Sequence, residues 1–235
     1  MPGSSLPPAA PARPLRRPRA VLLDLDGTLA DTAPDLVSAL NHALARLGRP
    51  ACDAERVRPW LGSGVETLVQ RALAGGNGAA PAPAELHRDA AALLLEFYGR
   101  NTCRYSSLYP GVLEGLDYLR DQGIRLSCVT NKSARFSGRL LEKLGIRDRF
   151  GIVVSGDTLA RKKPHPEPLL HAARQLRAAP GESLMIGDSQ NDVEAARNAG
   201  MPILCVDYGY NSGMDIRDCG PDFVLDSLRR LRELF

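Results

Sequence analysis

The chain predicts an α/β fold: a doubly wound, mainly parallel sheet, with an all-helical segment inserted after its first strand. Three observations point there. From about residue 109 onward, apolar runs of strand length alternate with amphipathic stretches of helix length. Glycines stand where those helices must stop, at Gly123, Gly145 and Gly200. Residues 34–107 break the alternation, with helical periodicity and no evident strand.

In chain order, Ala20-Val21-Leu22-Leu23 is a short apolar run of the kind buried on both faces of a sheet. The insertion follows. Leu36, Leu40, Leu44 and Leu47 mark one helix, and Val65–Leu73 and Glu85–Tyr98 mark two more, the last two separated by a Gly/Ala/Pro-rich loop at 75–83. Past Tyr109-Pro110-Gly111, a helix presents Leu113, Leu116 and Leu119 on one face. Ile124–Val129 is a strand, and Ser133 a candidate N-cap for a helix through Leu144. Ile152–Val154, Ser183–Ile186, Pro202–Val206 and Phe223–Leu225 supply further strands, with helices at Pro166–Leu176 and up to Ala199. Residues 20–33 and 108–235 thus make the core and 34–107 the insertion. Residues 1–19 read as a disordered Pro/Arg-rich tail.

That tail explains the net charge of +3. It carries Arg13, Arg16, Arg17 and Arg19 with no acid, so the body beyond it is close to neutral and offers nucleic acid no basic face. An apolar signal segment and a membrane span are both missing from the sequence. Five widely spaced cysteines suit free thiols in a reducing cytoplasm rather than a disulfide frame. The expected partner is a small molecule, with the protein a monomer or homodimer.

In such sheets ligands bind beyond the carboxyl ends of the strands. There the sequence places Asp24 and Asp26, then Thr130-Asn131, Ser155-Gly156-Asp157, and Asp188 with Asp192 four residues on; Lys163 lies in a loop before a helix. In an extended segment residues two apart point the same way, so Asp24 and Asp26 share one site. Like charges so close need a cation, a proton or both. Oxygen ligands suit Mg²⁺, and a hydroxyl, an amide and a lysine suit the charge of a phosphoryl group. One carboxylate can attack phosphorus while a second moves protons. Taken singly, Thr130-Asn131 also fits a helix-capping turn, Lys163 a solvated lysine, and Asp192 a carboxylate at a helix N-terminus.

Asp24-Leu25-Asp26-Gly27-Thr28, Val129-Thr130-Asn131, Lys163-Pro164 and Gly187-Asp188-Ser189-Gln190-Asn191-Asp192 resemble, in order and spacing, the four motifs of the haloacid dehalogenase superfamily of phosphatases. The resemblance implies a Rossmann-like core and makes the helical insertion a cap. It implies Asp24 as nucleophile and Asp26 as general acid/base. Mg²⁺ would be held by Asp24, the Asp26 backbone oxygen and Asp188, supported by Asp192, and the phosphate by Thr130, Asn131 and Lys163. Asp26 argues against the dehalogenase branch, which has no second acid there.

Tyr109-Pro110-Gly111-Val112, Gly156-Asp157-Thr158-Leu159, Lys162-Lys163-Pro164-His165-Pro166, Tyr208-Gly209-Tyr210-Asn211 and Leu61-Gly62-Ser63-Gly64 further resemble the bacterial phosphoglycolate phosphatases. This implies a small phosphorylated metabolite as substrate, 2-phosphoglycolate first. Its second charge calls for a cationic or N–H contact from the cap, and Arg71 is the candidate. The alternatives are a phosphatase of another small metabolite (a sugar phosphate, nucleotide or pyrophosphate), a phosphosugar mutase, or a receiver-like signalling protein. The last fits poorly, because receivers have neither cap nor second acid.

Overall fold

The computed structural model describes residues 16–62, 64–75 and 82–235. Residues 1–15, most of the expected tail, lie outside them, as do Ser63 and 76–81 in the cap loop. Arg17 and Arg19, assigned to that tail, are bound to the core. Arg17 donates to the Gln122 carbonyl, Arg19 N–H to the Glu182 carbonyl at 2.8 Å, and the Arg19 carbonyl accepts from Arg125 N–H at 3.2 Å. Main-chain pairing with the sheet thus starts at Arg19, one residue ahead of the first strand.

Six parallel strands form the main sheet: β1 (Ala20–Leu23), β4 (Arg125–Val129), β5 (Ile152–Val154), β6 (Ser183–Gly187), β7 (Ile203–Val206) and β8 (Phe223–Leu225). Their spatial order is β5-β4-β1-β6-β7-β8, which puts β1 at the centre between β4 and β6. Side-chain alternation divides its residues between two cores. Val21 and Leu23 join Leu126, Leu184 and Leu204 on one face, and Ala20 and Leu22 join Met185, Leu169 and Ile203 on the other. All four β1 residues are fully buried. The helices α5 (Val112–Asp121), α6 (Ala134–Lys143), α7 (Glu167–Gln175) and α8 (Gln190–Ala199) complete the doubly wound pattern.

Between β1 and α5 come α1 (Ala33–Arg46), α2 (Ala54–Val57), α3 (Val65–Leu73) and α4 (Ala84–Asn101). They close on a third apolar cluster of their own, in which Leu40, Leu44, Leu68 and Leu94 meet Phe136 and Tyr210 from the core. A strand pair that the sequence does not mark stands at the edges of the insertion, with only Ser107 of it inside 34–107. β2 (Ala30–Asp31) and β3 (Ser107–Leu108) pair antiparallel where the chain leaves the core and where it returns. Two residues cannot display a period of two, so no sequence pattern marks them. Asp35 clamps the same region, accepting from Tyr105 N–H at 2.9 Å and Ser106 N–H at 3.0 Å.

The N-terminus of α6 also differs from expectation. Ser133 occupies the cap position, but its side chain makes no capping bond; Asp157 accepts from Ala134 N–H at 2.7 Å instead. A loop distant in sequence supplies the cap, which local spacing cannot foresee.

Candidate active site

β1 ends at Leu23, and the next main-chain bond, Asp24 N–H to the Ile186 carbonyl at 2.9 Å, carries the sheet one residue further. Asp24 is thereby fixed at the carboxyl edge, where its side chain meets Lys163. The ammonium lies 2.9 Å from Asp24 Oδ1, off the axis of a straight hydrogen bond, and donates to Asp192 Oδ1 at 2.6 Å and to the Val129 carbonyl at 2.8 Å. One lysine thus joins the residue after β1, the last residue of β4 and the helix after β6. Asp24, Asp188 and Asp192 place carboxylate oxygens within 4.8 Å of one another, all buried.

Three buried carboxylates beside one lysine leave an excess of negative charge. Burial pushes the Asp24 carboxyl up to about 7; Lys163 restrains the rise, and Asp192 and Asp26 add to it. Burial likewise drives Asp188 well above the usual carboxylate range, helped by Asp24 and Asp192. For Lys163 burial works against the charge, but Asp192 and Asp24 outweigh it and hold the ammonium above its ordinary value.

The three acids differ in what remains free. Asp192 is engaged at both oxygens, Oδ1 by Lys163 and Oδ2 by Ser189 Oγ at 2.6 Å and Ser189 N–H at 3.1 Å. It caps its own helix, as a carboxylate at a helix N-terminus does, while also holding the lysine. Asp188 accepts one bond on each oxygen, from Thr28 Oγ1 at 2.7 Å and Tyr210 N–H at 2.7 Å, which leaves further lone pairs. It sits in a glycine cradle: a β-carbon on Gly27 or on Gly209 would fall 2.2 Å from an Asp188 side-chain atom. This all-oxygen donor set, deficient in positive charge, fits a hard divalent cation.

Asp26 is directed away from that cluster. It accepts from Lys132 Nζ at 2.8 Å and from Thr32 Oγ1 at 2.5 Å. Lys132 lies 4.9 Å from the ring centroid of Tyr98 on α4, so it bridges the second acid and the cap. Burial opposes its charge, yet Asp26 and Tyr98 hold it above the ordinary lysine range. Lys132, Thr28 and Tyr210 had no assigned role in the sequence. The signal for Lys132 was its place directly after Thr130-Asn131, and for Thr28 its place in the first motif.

Asp24, Asp26, Lys132 and Tyr210 open into a cavity of about 310 Å³ between sheet edge and helices. Thr130, Asn131 and Lys163 all line it. Thr130 Oγ1 accepts from Lys132 N–H at 3.2 Å and keeps its own proton to donate. Asn131 donates one of its two amide N–H groups to the Lys163 carbonyl at 2.9 Å and so braces the lysine loop. Arg71 is not among the lining residues; α3 contributes Val65, Glu66 and Leu68. The cations that do line it, Lys132, Arg135, Lys162 and Lys163, all belong to the core.

A sequence model of the haloacid dehalogenase-like hydrolases matches residues 21–206. The phosphoglycolate phosphatase of Nitrosococcus oceani is 50% identical over 220 residues, covering 94% of this chain and 97% of that protein. That of Thiobacillus denitrificans is 45% identical over 89% of this chain and 92% of its own length. A crystal structure described as a predicted phosphoglycolate phosphatase from Haemophilus somnus superposes with a TM-score of 0.86 at 32% identity, covering 93% of this chain and 98% of that one. The chain belongs to the haloacid dehalogenase-like hydrolase family.

Proposed function

We propose that the protein is a Mg²⁺-dependent phosphomonoester hydrolase that converts 2-phosphoglycolate to glycolate and phosphate through a phosphorylated Asp24. The observation that carries this is the single buried knot of Asp24, Lys163 and Asp192, with Asp188 beside it, opening into a cavity of small-metabolite size. The substrate rests on the relatives named phosphoglycolate phosphatase.

Asp24 Oδ attacks phosphorus in line, and the ester P–O bond to glycolate breaks. Asp26 gives its proton to the departing oxygen, leaving an acyl phosphate on Asp24. Water then attacks the same phosphorus while Asp26 takes its proton; phosphate leaves and the Asp24 carboxylate is restored. Lys163 and the Thr130 hydroxyl hold the equatorial oxygens, and Lys132 and Thr32 keep Asp26 directed toward the cavity. Asp24, Asp188 and the Asp26 main-chain oxygen would hold Mg²⁺, which supplies neutralising charge for the phosphate oxygens. Asp192 acts on that set from behind, through Lys163 and the Asp188 N–H. Apolar residues from the insertion (Leu36, Leu61, Leu68, Leu95) exclude bulk water from the cavity.

No helix among the described residues is long and apolar enough to cross a membrane. Five unpaired cysteines support a reducing cytoplasm as its compartment.

The test is phosphate release from 2-phosphoglycolate and a panel of other small phosphomonoesters with Mg²⁺ present. The wild type releases phosphate, and Asp24→Asn loses at least about 1000-fold in kcat. Failure with every ester overturns the reading, and an undiminished Asp24→Asn rate overturns the nucleophile.

A further inference from the structure

The cavity holds more positive charge than the reaction centre uses. Of the four cations that line it, Lys132 is committed to Asp26, and Lys163 to Asp24, Asp192 and the Val129 carbonyl. Arg135 and Lys162 meet no carboxylate among the described residues. Both are exposed to solvent, so neither is a buried structural charge.

Their head groups lie at the seam between core and insertion. Arg135, on the first turn of α6, places its guanidinium 5.2 Å from the Phe136 ring centroid. The same group lies against Gly99 of α4, with Nη2 3.3 Å from where a β-carbon would stand. Lys162 Nζ comes within 3.9 Å of the corresponding point on Gly64, just before α3. At both places the facing residue of the insertion is a glycine, so the cationic head group lies close against its backbone at the edge of the cavity.

Among the described residues the insertion brings no cation to the opposite wall. Its lining from the insertion is mainly apolar, and its one acid there, Glu66, is 73% exposed and 3.6 Å from His87 Nδ1. Beside low-polarity walls a cation attracts an anion more strongly than in open water, and a guanidinium matches a carboxylate with two parallel bonds. Lys162 directly precedes Lys163, so an anion held there is close in space to a phosphoryl group at Lys163.

We propose that Arg135 and Lys162 form a subsite for a second anionic group on the substrate, a carboxylate borne by a short-chain phosphomonoester. The core reads the charge of the leaving group, and the cap supplies shape. This rests on the phosphatase reading above and names the residues that select the substrate.

The test compares the wild type with the double variant Arg135→Gln/Lys162→Gln, as full chains with Mg²⁺. The substrates are 2-phosphoglycolate and ethyl phosphate, in which a methyl replaces the carboxylate; inorganic phosphate as inhibitor probes the phosphoryl site alone. In the variant, kcat/KM for 2-phosphoglycolate falls at least about tenfold, chiefly through KM, while ethyl phosphate turnover and the phosphate inhibition constant stay within about twofold. If all three quantities shift together, or none shifts, the subsite is overturned. A wild type that hydrolyses ethyl phosphate as well as 2-phosphoglycolate also overturns it. A wild type inert toward every phosphomonoester overturns the phosphatase reading instead.

Discussion

At the scale of single residues, the acids of the site differ because their neighbours differ. Asp24 is buried and its carboxyl is pushed up to about 7, far from the ordinary 3.8, whereas Asp26 has Lys132 to itself. A raised carboxyl pKa in the folded state means that the metal-free fold loses stability as pH rises from about 4 toward 7. Across that window the unfolded chain ionises freely, while the folded chain must hold a proton or bury a charge. A divalent cation at Asp24 and Asp188 favours the ionised form and removes this penalty. Mg²⁺ should therefore raise the melting temperature more at about pH 8 than at about pH 6. Equal shifts at both, in a thermal titration with Mg²⁺, would remove Asp24 from the cation site. Much of this set was legible in the sequence, because Asp24 and Asp188 each stand where an apolar run stops abruptly, with Asp26 two and Asp192 four residues on. The Lys132–Asp26 pair was not: its members are 106 positions apart, and only β4 lying beside β1 brings them together. Arg71 shows the converse, a suitable charge on a helix that reaches the cavity through other residues, Val65, Glu66 and Leu68.

At the scale of elements, the site depends on how closely two of them approach. Gly187 ends β6, and a β-carbon there would fall 2.4 Å from Asp192 on the first turn of α8. Gly187→Ala must displace either the strand end or the carboxylate that anchors Lys163. Overpacking of this kind costs about 1–3 kcal/mol, to be read by urea unfolding. Activity should fall further than stability alone explains, because Lys163 loses its anchor. An unchanged kcat would show that α8 can move without consequence. Long elements such as α1, α3 and α4 were readable from their leucine spacing and from breakers at their ends. The β2–β3 pair and the Asp157 cap on α6 were not, since one is too short for a pattern and the other joins two loops.

At the scale of the whole molecule, Tyr210 ties three parts together. Its main-chain N–H holds Asp188, and its hydroxyl accepts from Thr32 N–H at 2.8 Å and Ala33 N–H at 3.0 Å at the start of α1. The hydroxyl also donates to Asp31, which pairs with Arg58 from the insertion; that guanidinium lies 5.3 Å from the Tyr210 ring centroid. Tyr210→Phe leaves the buried Thr32 N–H without its acceptor, while Ala33 N–H keeps Asp31 Oδ1 at 3.1 Å; the cost is about 1–3 kcal/mol, measurable by urea unfolding. Since the bond to Asp188 comes from the main chain, the Mg²⁺ concentration for half-maximal activity should stay within about twofold. A large rise in it would mean that phenol and main chain act as one unit.

The β2–β3 pair has a consequence for how such a molecule can change over generations. Ala30 stands opposite Leu108 and Asp31 opposite Ser107, so the two threads joining the helical lobe to the sheet lie side by side. The core offers a socket with a single fixed footprint. A lobe of another length, or none, can be plugged into it without moving a strand or a catalytic carboxylate. Chemistry and choice of substrate are thereby free to diversify separately.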